Sequence, residues 1–176
     1  MRSGEIRIRE AKPGDLGKVA AMHYPVWRQS WDGMLAPYLL DMLDTPKRWV
    51  QEFYPLTLKR GGWSMWIAEK GRQPLGMALF GPDLSNPELI QLDALYIAEA
   101  SQRLGLGGRL LDTALHLHPG ADMILWCAEK NRKAREFYEG RNFRLDGRSY
   151  VWKPLPGVKV LHVGYRLYRS ASGVDD

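Results

Sequence analysis

The stretch Gln102-Arg103-Leu104-Gly105-Leu106-Gly107-Gly108-Arg109 puts three glycines in four positions and an arginine on either side of them. It follows a predicted strand over 89–97 and runs into a predicted helix over 107–117. Glycine permits φ > 0 and lets a backbone approach a ligand closely. The first turn of a helix leaves N–H groups without intrahelical partners and carries partial positive charge. Together these make a site for phosphate or pyrophosphate, to which Arg103 and Arg109 add formal charge. The same glycines also suit a tight strand-to-helix connection, and by themselves they do not separate the two readings.

Two phosphate loops fail on inspection. A Walker loop ends in Gly-Lys-Ser/Thr, whereas this turn ends in Gly108-Arg109-Leu110. A dinucleotide loop needs a third glycine where Leu110 stands. The pattern that fits is Gln-x-x-Gly-x-Gly, at Gln102, Gly105 and Gly107, preceded by Leu95-Tyr96-Ile97. It resembles the coenzyme A pyrophosphate loop of the GNAT superfamily of N-acetyltransferases. A second segment, Trp126 followed by Asn131, Ala134, Phe137 and Tyr138, resembles that family's strand leading into Asn-x-x-Ala-x-x-Phe-Tyr. Two motifs at the family's spacing extend the resemblance from Ile6 to about Arg169.

The resemblance implies an acetyl-CoA-dependent enzyme that moves an acetyl group directly to a primary amine, on a small molecule or on a peptide or protein. In such folds the strands over 89–97 and 121–128 lie parallel and splay apart, and the pantetheine arm enters the gap. Leu95, Tyr96 and Ile97 would hold that arm. The N–H groups from Arg103 through Leu104, Gly105, Leu106, Gly107 and Gly108 would hold the pyrophosphate, with Arg109 beside them. Asn131, Ala134 and Phe137 would meet the cofactor from the other side, although Asn131 also suits the role of a helix cap.

Acetyl transfer needs a proton for the departing thiolate and a base for the amine. A phenol, with a pKa of ~10, stays protonated at neutral pH. Tyr138 occupies the position of the family's usual general acid, and it would equally pack with Phe137 on an apolar face. The family often places a Glu four residues before the Leu of its strand end, where this chain has Gln91. Asp93, two residues on and therefore on the same strand face, is the candidate base, or else an arginine's ion-pair partner. The acceptor is expected under the aromatic stretch after the first helix, with His23, Trp27 and Trp31 as candidate substrate contacts. Aromatic walls favour cations and flat apolar groups. His23 could relay protons near neutrality, and it suits a structural role better.

These residues need elements to carry them. Ile6-Arg7-Ile8-Arg9 alternates as a half-buried strand does. Pro13-Gly14-Asp15 breaks it, with Asp15 as a helix N-cap and Leu16, Val19, Ala20 and His23 on one helical face. Pro25 is expected to limit that helix. Thr45-Pro46 predicts a further helix start carrying Trp49, Val50 and Phe53. Strands are predicted over 64–69 and 75–80, the second ended by Gly81-Pro82. A helix with an apolar stripe at Leu106, Leu110, Leu111, Ala114 and Leu115 follows the glycine turn. Then come a strand over 121–128, a short helix after Asn131, and closing strands near 143, 149–152 and 160–168. The order predicts an α+β fold, a mixed sheet with helices on both faces; the resemblance implies the GNAT acyl-CoA N-acyltransferase fold, with a mostly antiparallel sheet of about seven strands.

The chain has 176 residues, which suits one domain over 1–169 with a flexible tail over 170–176. Its single cysteine, Cys127, excludes an intramolecular disulfide. No apolar run is long enough to span a bilayer, and a cytoplasmic location is expected. The net charge of +5 comes from 25 Lys and Arg interleaved with 20 Asp and Glu. An acidic cofactor accounts for that surplus as well as nucleic acid does, and a plainly solvated surface, which needs no partner, accounts for it best. No metal site, nucleic acid or membrane partner is expected, and a homodimer is left open. The rival to an enzyme is a module of the same fold that binds or senses acyl-CoA with little catalysis, a reading that Gln91 favours and Tyr138 opposes.

Overall fold

The structure is a computed structural model that describes residues 4–169; the tail expected over 170–176 lies outside the described residues. Among the described residues seven strands form one sheet: β1 (Ile6–Glu10), β2 (Ser64–Lys70), β3 (Gln73–Pro82), β4 (Ile90–Ile97), β5 (Met123–Ala128), β6 (Arg144–Trp152) and β7 (Val160–Leu167). Their spatial order is β1-β2-β3-β4-β5-β7-β6. Every neighbouring pair is antiparallel except β4 and β5, which are parallel. The helices are α1 (Leu16–Ser30), α2 (Pro37–Leu43), α3 (Pro46–Arg48), α4 (Tyr54–Leu58), α5 (Leu106–Leu117) and α6 (Arg132–Gly140), with a π-helical turn, Trp49–Phe53, joining α3 to α4.

The sheet is covered on both faces. On one, α5 lays Leu106, Leu110, Leu111 and Ala114 onto Ala78, Phe80, Leu92 and Leu125. Each leucine of that stripe is essentially buried, worth about 1.5–3 kcal/mol apiece by area. On the other, α1 and the segment 46–58 pack Val19, Ala20, Trp49 and Tyr54 against Met65, Ile67, Met77 and Ala94.

Three local expectations are corrected. First, α1 runs through Pro25 to Ser30. The ring removes one bond to the Ala21 carbonyl, but Ala21 and Pro25 both lie on the exposed face, where water can serve that carbonyl. Second, Asp15 precedes α1 without capping it. Its carboxylate instead accepts from the Lys12 N–H at 2.7 Å and pairs with Arg9. Third, β3 continues through Gly81-Pro82. Pro82 pairs only with Ile90 on β4, so its missing N–H faces no β2 partner. A Cβ at Gly81 would lie 2.3 Å from the Trp63 indole, which donates to the Pro82 carbonyl at 3.0 Å.

Two features of β4 prepare the site. Leu79 pairs with Ala94 but Phe80 with Leu92, so Asp93 is an extra residue, a β-bulge. Alternation therefore shifts there: Ile90 and Leu92 face the α5 side, whereas Ala94 and Tyr96 face the α1 side. A bulge bends its strand and raises local twist. Beyond it β4 leaves β5, and the parallel pairing is confined to Ile90–Met123 and Gln91–Ile124.

Candidate functional site

The gap between β4 and β5 is the middle of three adjoining cavities. The first, about 740 Å³, runs from the glycine turn to Tyr138. The second, about 140 Å³, fills the gap itself. The third, about 290 Å³, opens under the aromatic residues of α1. Leu95, Tyr96, Asn131, Ala134 and Tyr138 line both the first and the second; Trp31, Asp93, Ala94, Tyr96 and His162 line both the second and the third.

The glycine turn is shaped by two left-handed residues, Arg103 at φ 63° and Gly105 at φ 76°. Gly105 is the N-cap of α5 and carries no capping side chain, so the first N–H groups of that helix open into the cavity. The non-glycine Arg103 in this region is strained, which the surrounding turn must impose. Gly107 lines the cavity against Phe137 of α6, and a Cβ there would sit 3.4 Å from the ring. Gln102 ties the mouth together, donating to the Ile97 carbonyl at 3.0 Å and accepting from Lys133 at 2.6 Å.

Ala98 N–H bonds the Leu75 carbonyl on β3. By strand alternation the backbone groups of Leu95 and Ile97 then point to the opposite edge, into the gap. Since Gln102 occupies the Ile97 carbonyl, the Ile97 N–H and both groups of Leu95 are left for a ligand.

Two side chains of the expected loop are turned away from the cavity. Arg109 sends its guanidinium to the Ile6 carbonyl at 3.3 Å, and its N–H is already bonded to Gly105 within the helix. Leu104 is 63% exposed and lines none of the three cavities. The positive rim comes instead from Arg103 with Lys130, Arg132 and Lys133 at the start of α6. That basic cluster is visible in the sequence, but its place opposite the glycine turn follows only from the fold. Asn131 caps α6, accepting from the Ala134 N–H at 3.2 Å, and lines the cavity as well.

Tyr138 reaches the gap from α6, its ring edge-on to Phe137 at 5.3 Å and Phe143 at 5.5 Å. Its hydroxyl makes no hydrogen bond to the described residues. Burial, with smaller contributions from Cys127 and Tyr96, raises its pKa far above the ordinary phenol value, so it stays protonated. Burial likewise pushes the neighbouring Cys127 thiol up to about 11. A thiolate formed in this gap is therefore a stronger base than one in water.

Asp93 projects from the bulge into the second and third cavities. It is open to cavity solvent yet walled by protein, and desolvation raises its carboxyl pKa, partly offset by Arg60. No described cation forms a salt bridge with it. Its charge reaches Tyr96, which burial pushes up to about 12 against a Ser30 hydrogen bond, and Tyr150.

His23, Trp27 and Trp31 all line the third cavity with Asp93. His23 is not a relay near neutrality, because full burial pushes its pKa down to about 3. Its ring lies between Trp49 and Tyr96, 4.3 Å from each, and Nδ1 is 2.8 Å from the Tyr54 hydroxyl. Sequence reading missed the opposite wall. Tyr150 and Trp152 alternate along β6, and His162 is the β7 partner of Tyr150, stacked on it at 4.9 Å. The period-two pair Tyr150/Trp152 was the available signal. Among the described residues no group of three or more His, Cys, Asp or Glu is placed to hold a metal, and no helix is long and apolar enough to cross a membrane.

Comparison with known proteins bears on the family and the fold. A family model described as acetyltransferase (GNAT) family matches residues 28–143. A Mycobacterium tuberculosis protein named "Probable N-acetyltransferase Rv2775" is 70% identical over 171 residues, covering 97% of this chain and 98% of its own. Among solved structures, the PaiA N-acetyltransferase of Thermoplasma acidophilum in complex with coenzyme A superposes with a TM-score of 0.70 at 15% identity, over 90% of this chain and 98% of that one. An acetyltransferase of the GNAT family from Streptococcus pneumoniae gives 0.68 at 18% identity, over 94% and 100%.

Proposed function

The chain belongs to the acetyltransferase (GNAT) family and is an N-acetyltransferase; on that premise we propose that it binds acetyl-CoA along the first cavity and acetylates a primary amine presented from the third. The observation that carries this reading is the continuity of the three cavities past Tyr138 and Asp93. The first cavity fits the cofactor chemically. Its N–H cradle and the rim of Arg103, Lys130, Arg132 and Lys133 suit phosphates, and the free edge of β4 suits an amide-bearing arm. Acetyl-CoA supplies the acyl group as a thioester: the amine nitrogen bonds to the carbonyl carbon while the carbon–sulfur bond breaks, giving an N-acetyl product and free thiol.

In this reading Asp93 takes the proton that the amine must shed, directly or through cavity water. Its raised pKa makes it a better base than an exposed carboxylate. Tyr138 gives its hydroxyl proton to the sulfur and recovers one from solvent. Burial raises the pKa of the neighbouring Cys127 thiol as well as that of the phenol, which narrows the difference between proton donor and acceptor without closing it. Trp27 and Trp31 hold the acceptor, and His23 braces the aromatic wall. One continuous sheet from β1 to β7 supports treating residues 1–169 as one domain; the use of acetyl-CoA favours action in the cytoplasm.

The test is release of free thiol from acetyl-CoA with a panel of amines. Amine-dependent thiol release matched by N-acetyl product is expected. If acetyl-CoA binds but no amine raises thiol release above background, the protein is an acyl-CoA sensor instead.

A further inference from the structure

We infer that the acceptor is a small dication: a primary amine joined by a short chain to a second positively charged nitrogen. The inference deepens, and rests on, the proposed acetyl transfer. The third cavity carries two carboxylates, Asp93 from the β4 bulge and Asp44 from the end of α2, and no Lys or Arg among its lining residues. Neither aspartate forms a salt bridge with a described residue, although the chain as a whole is basic. The two histidines on the wall do not compensate, since burial keeps His23 neutral and lowers the pKa of His162. Arg60, the cation felt by Asp93, stands outside the lining.

A second observation points to a bound ligand. His23 is 3% exposed and lines this cavity, yet its Nε2 is buried with no hydrogen-bond partner. An orphaned buried nitrogen costs free energy unless something meets it. In the tautomer whose Nδ1–H donates to the Tyr54 oxygen, Nε2 carries the lone pair that would accept a ligand N–H. Between the carboxylates the wall is aromatic: Trp27, Trp31, Trp49, Phe53, Tyr150 and Trp152 present faces and edges that attract cations and cover methylenes. At ~30 Å³ per water-sized group, about 290 Å³ holds roughly ten non-hydrogen atoms. Two nitrogens and four or five carbons fit, with one ammonium at Asp93 for reaction and the other at Asp44.

The experiment compares 1,4-diaminobutane with n-pentylamine, which has the same number of heavy atoms and one charge fewer. Both kcat/KM and calorimetric binding are measured, on the wild type and on Asp44→Asn. The asparagine keeps the Oδ1 that accepts from the Thr45 N–H at 2.9 Å, so the end of α2 is preserved. A preference for the diamine of about tenfold or more is expected, shrinking to about twofold or less in Asp44→Asn. Equal kcat/KM for the two amines, or a diamine preference that survives Asp44→Asn, overturns the dication reading while leaving acetyl transfer standing. Diamine binding that depends on Asp44, without thiol release from either amine, supports the dication site and overturns acetyl transfer. A short peptide amine that outcompetes the diamine also overturns the inference, in favour of a macromolecular acceptor.

Discussion

Tyr138 of α6 and Asp93 of the β4 bulge line one cavity from two separate elements, in the gap where β4 parts from β5. Neither is tied down: the phenol makes no hydrogen bond to the described residues and the carboxylate has no salt-bridge partner among them. On the proposed reading, groups held this way exchange protons with a substrate between them.

The glycine turn sets the first prediction. Gly107→Val adds bulk beside Phe137 at a residue lining the first cavity, where the proposed cradle would meet phosphate. Acetyl-CoA should raise the wild-type Tm by mass action and raise that of the variant much less. Equal affinity for coenzyme A in the two proteins, by calorimetry, would remove the turn from cofactor binding.

Asp93 sets the second. Its carboxyl pKa is raised by desolvation, so the base form is lost as pH falls through a value above that of an ordinary aspartate. Wild-type kcat/KM should show that acid limb, whereas Asp93→Asn should be slower and lack it. Cofactor affinity should change little, because Asp93 lines only the second and third cavities. Superimposable pH profiles would place the base elsewhere.

His23 gives a stability prediction. Buried neutral with a pKa near 3, against an unfolded value of about 6.5, it binds its proton only on unfolding as pH falls between those values. Stability from this group is fully present above about pH 6.5 and is lost progressively below it. At pH 4.5 the loss is about 3 kcal/mol, from two pKa units at ~1.4 kcal/mol each. Urea unfolding at pH 7 and pH 4.5 should show a smaller pH dependence in His23→Gln than in the wild type. The same dependence in both would mean that His23 charges freely in the folded state.

What the sequence disclosed was local chemistry. Gln102, Gly105 and Gly107 mark a turn because glycine is required where φ is positive or a ligand comes close. Asn131 marks a helix start because its side chain reaches the Ala134 N–H, as found. The α5 stripe follows from periodicity, and the sheet with helices on both faces from the order of the predicted elements. What it hid depends on neighbours distant in the chain. Pro25 stays helical because its face is open to water, and Pro82 stays in β3 because it has no β2 partner. Arg109 leaves the turn for the Ile6 carbonyl, 103 residues away. The bulge that aims Asp93 is a mismatch between two strands and has no signature in either one. Tyr150, Trp152 and His162 became a pocket wall only when β6 and β7 were placed beside β5.

The central claim is that Tyr138 supplies the proton that lets the thiol depart. Tyr138→Phe removes one oxygen and keeps the edge-on contacts with Phe137 and Phe143. Measured together, kcat and Tm decide the question. The account predicts a fall in kcat of about 10²–10⁴-fold, less where cavity water substitutes, with Tm and acetyl-CoA affinity nearly unchanged. An unaltered kcat with a lowered Tm would contradict it and leave Tyr138 a packing residue.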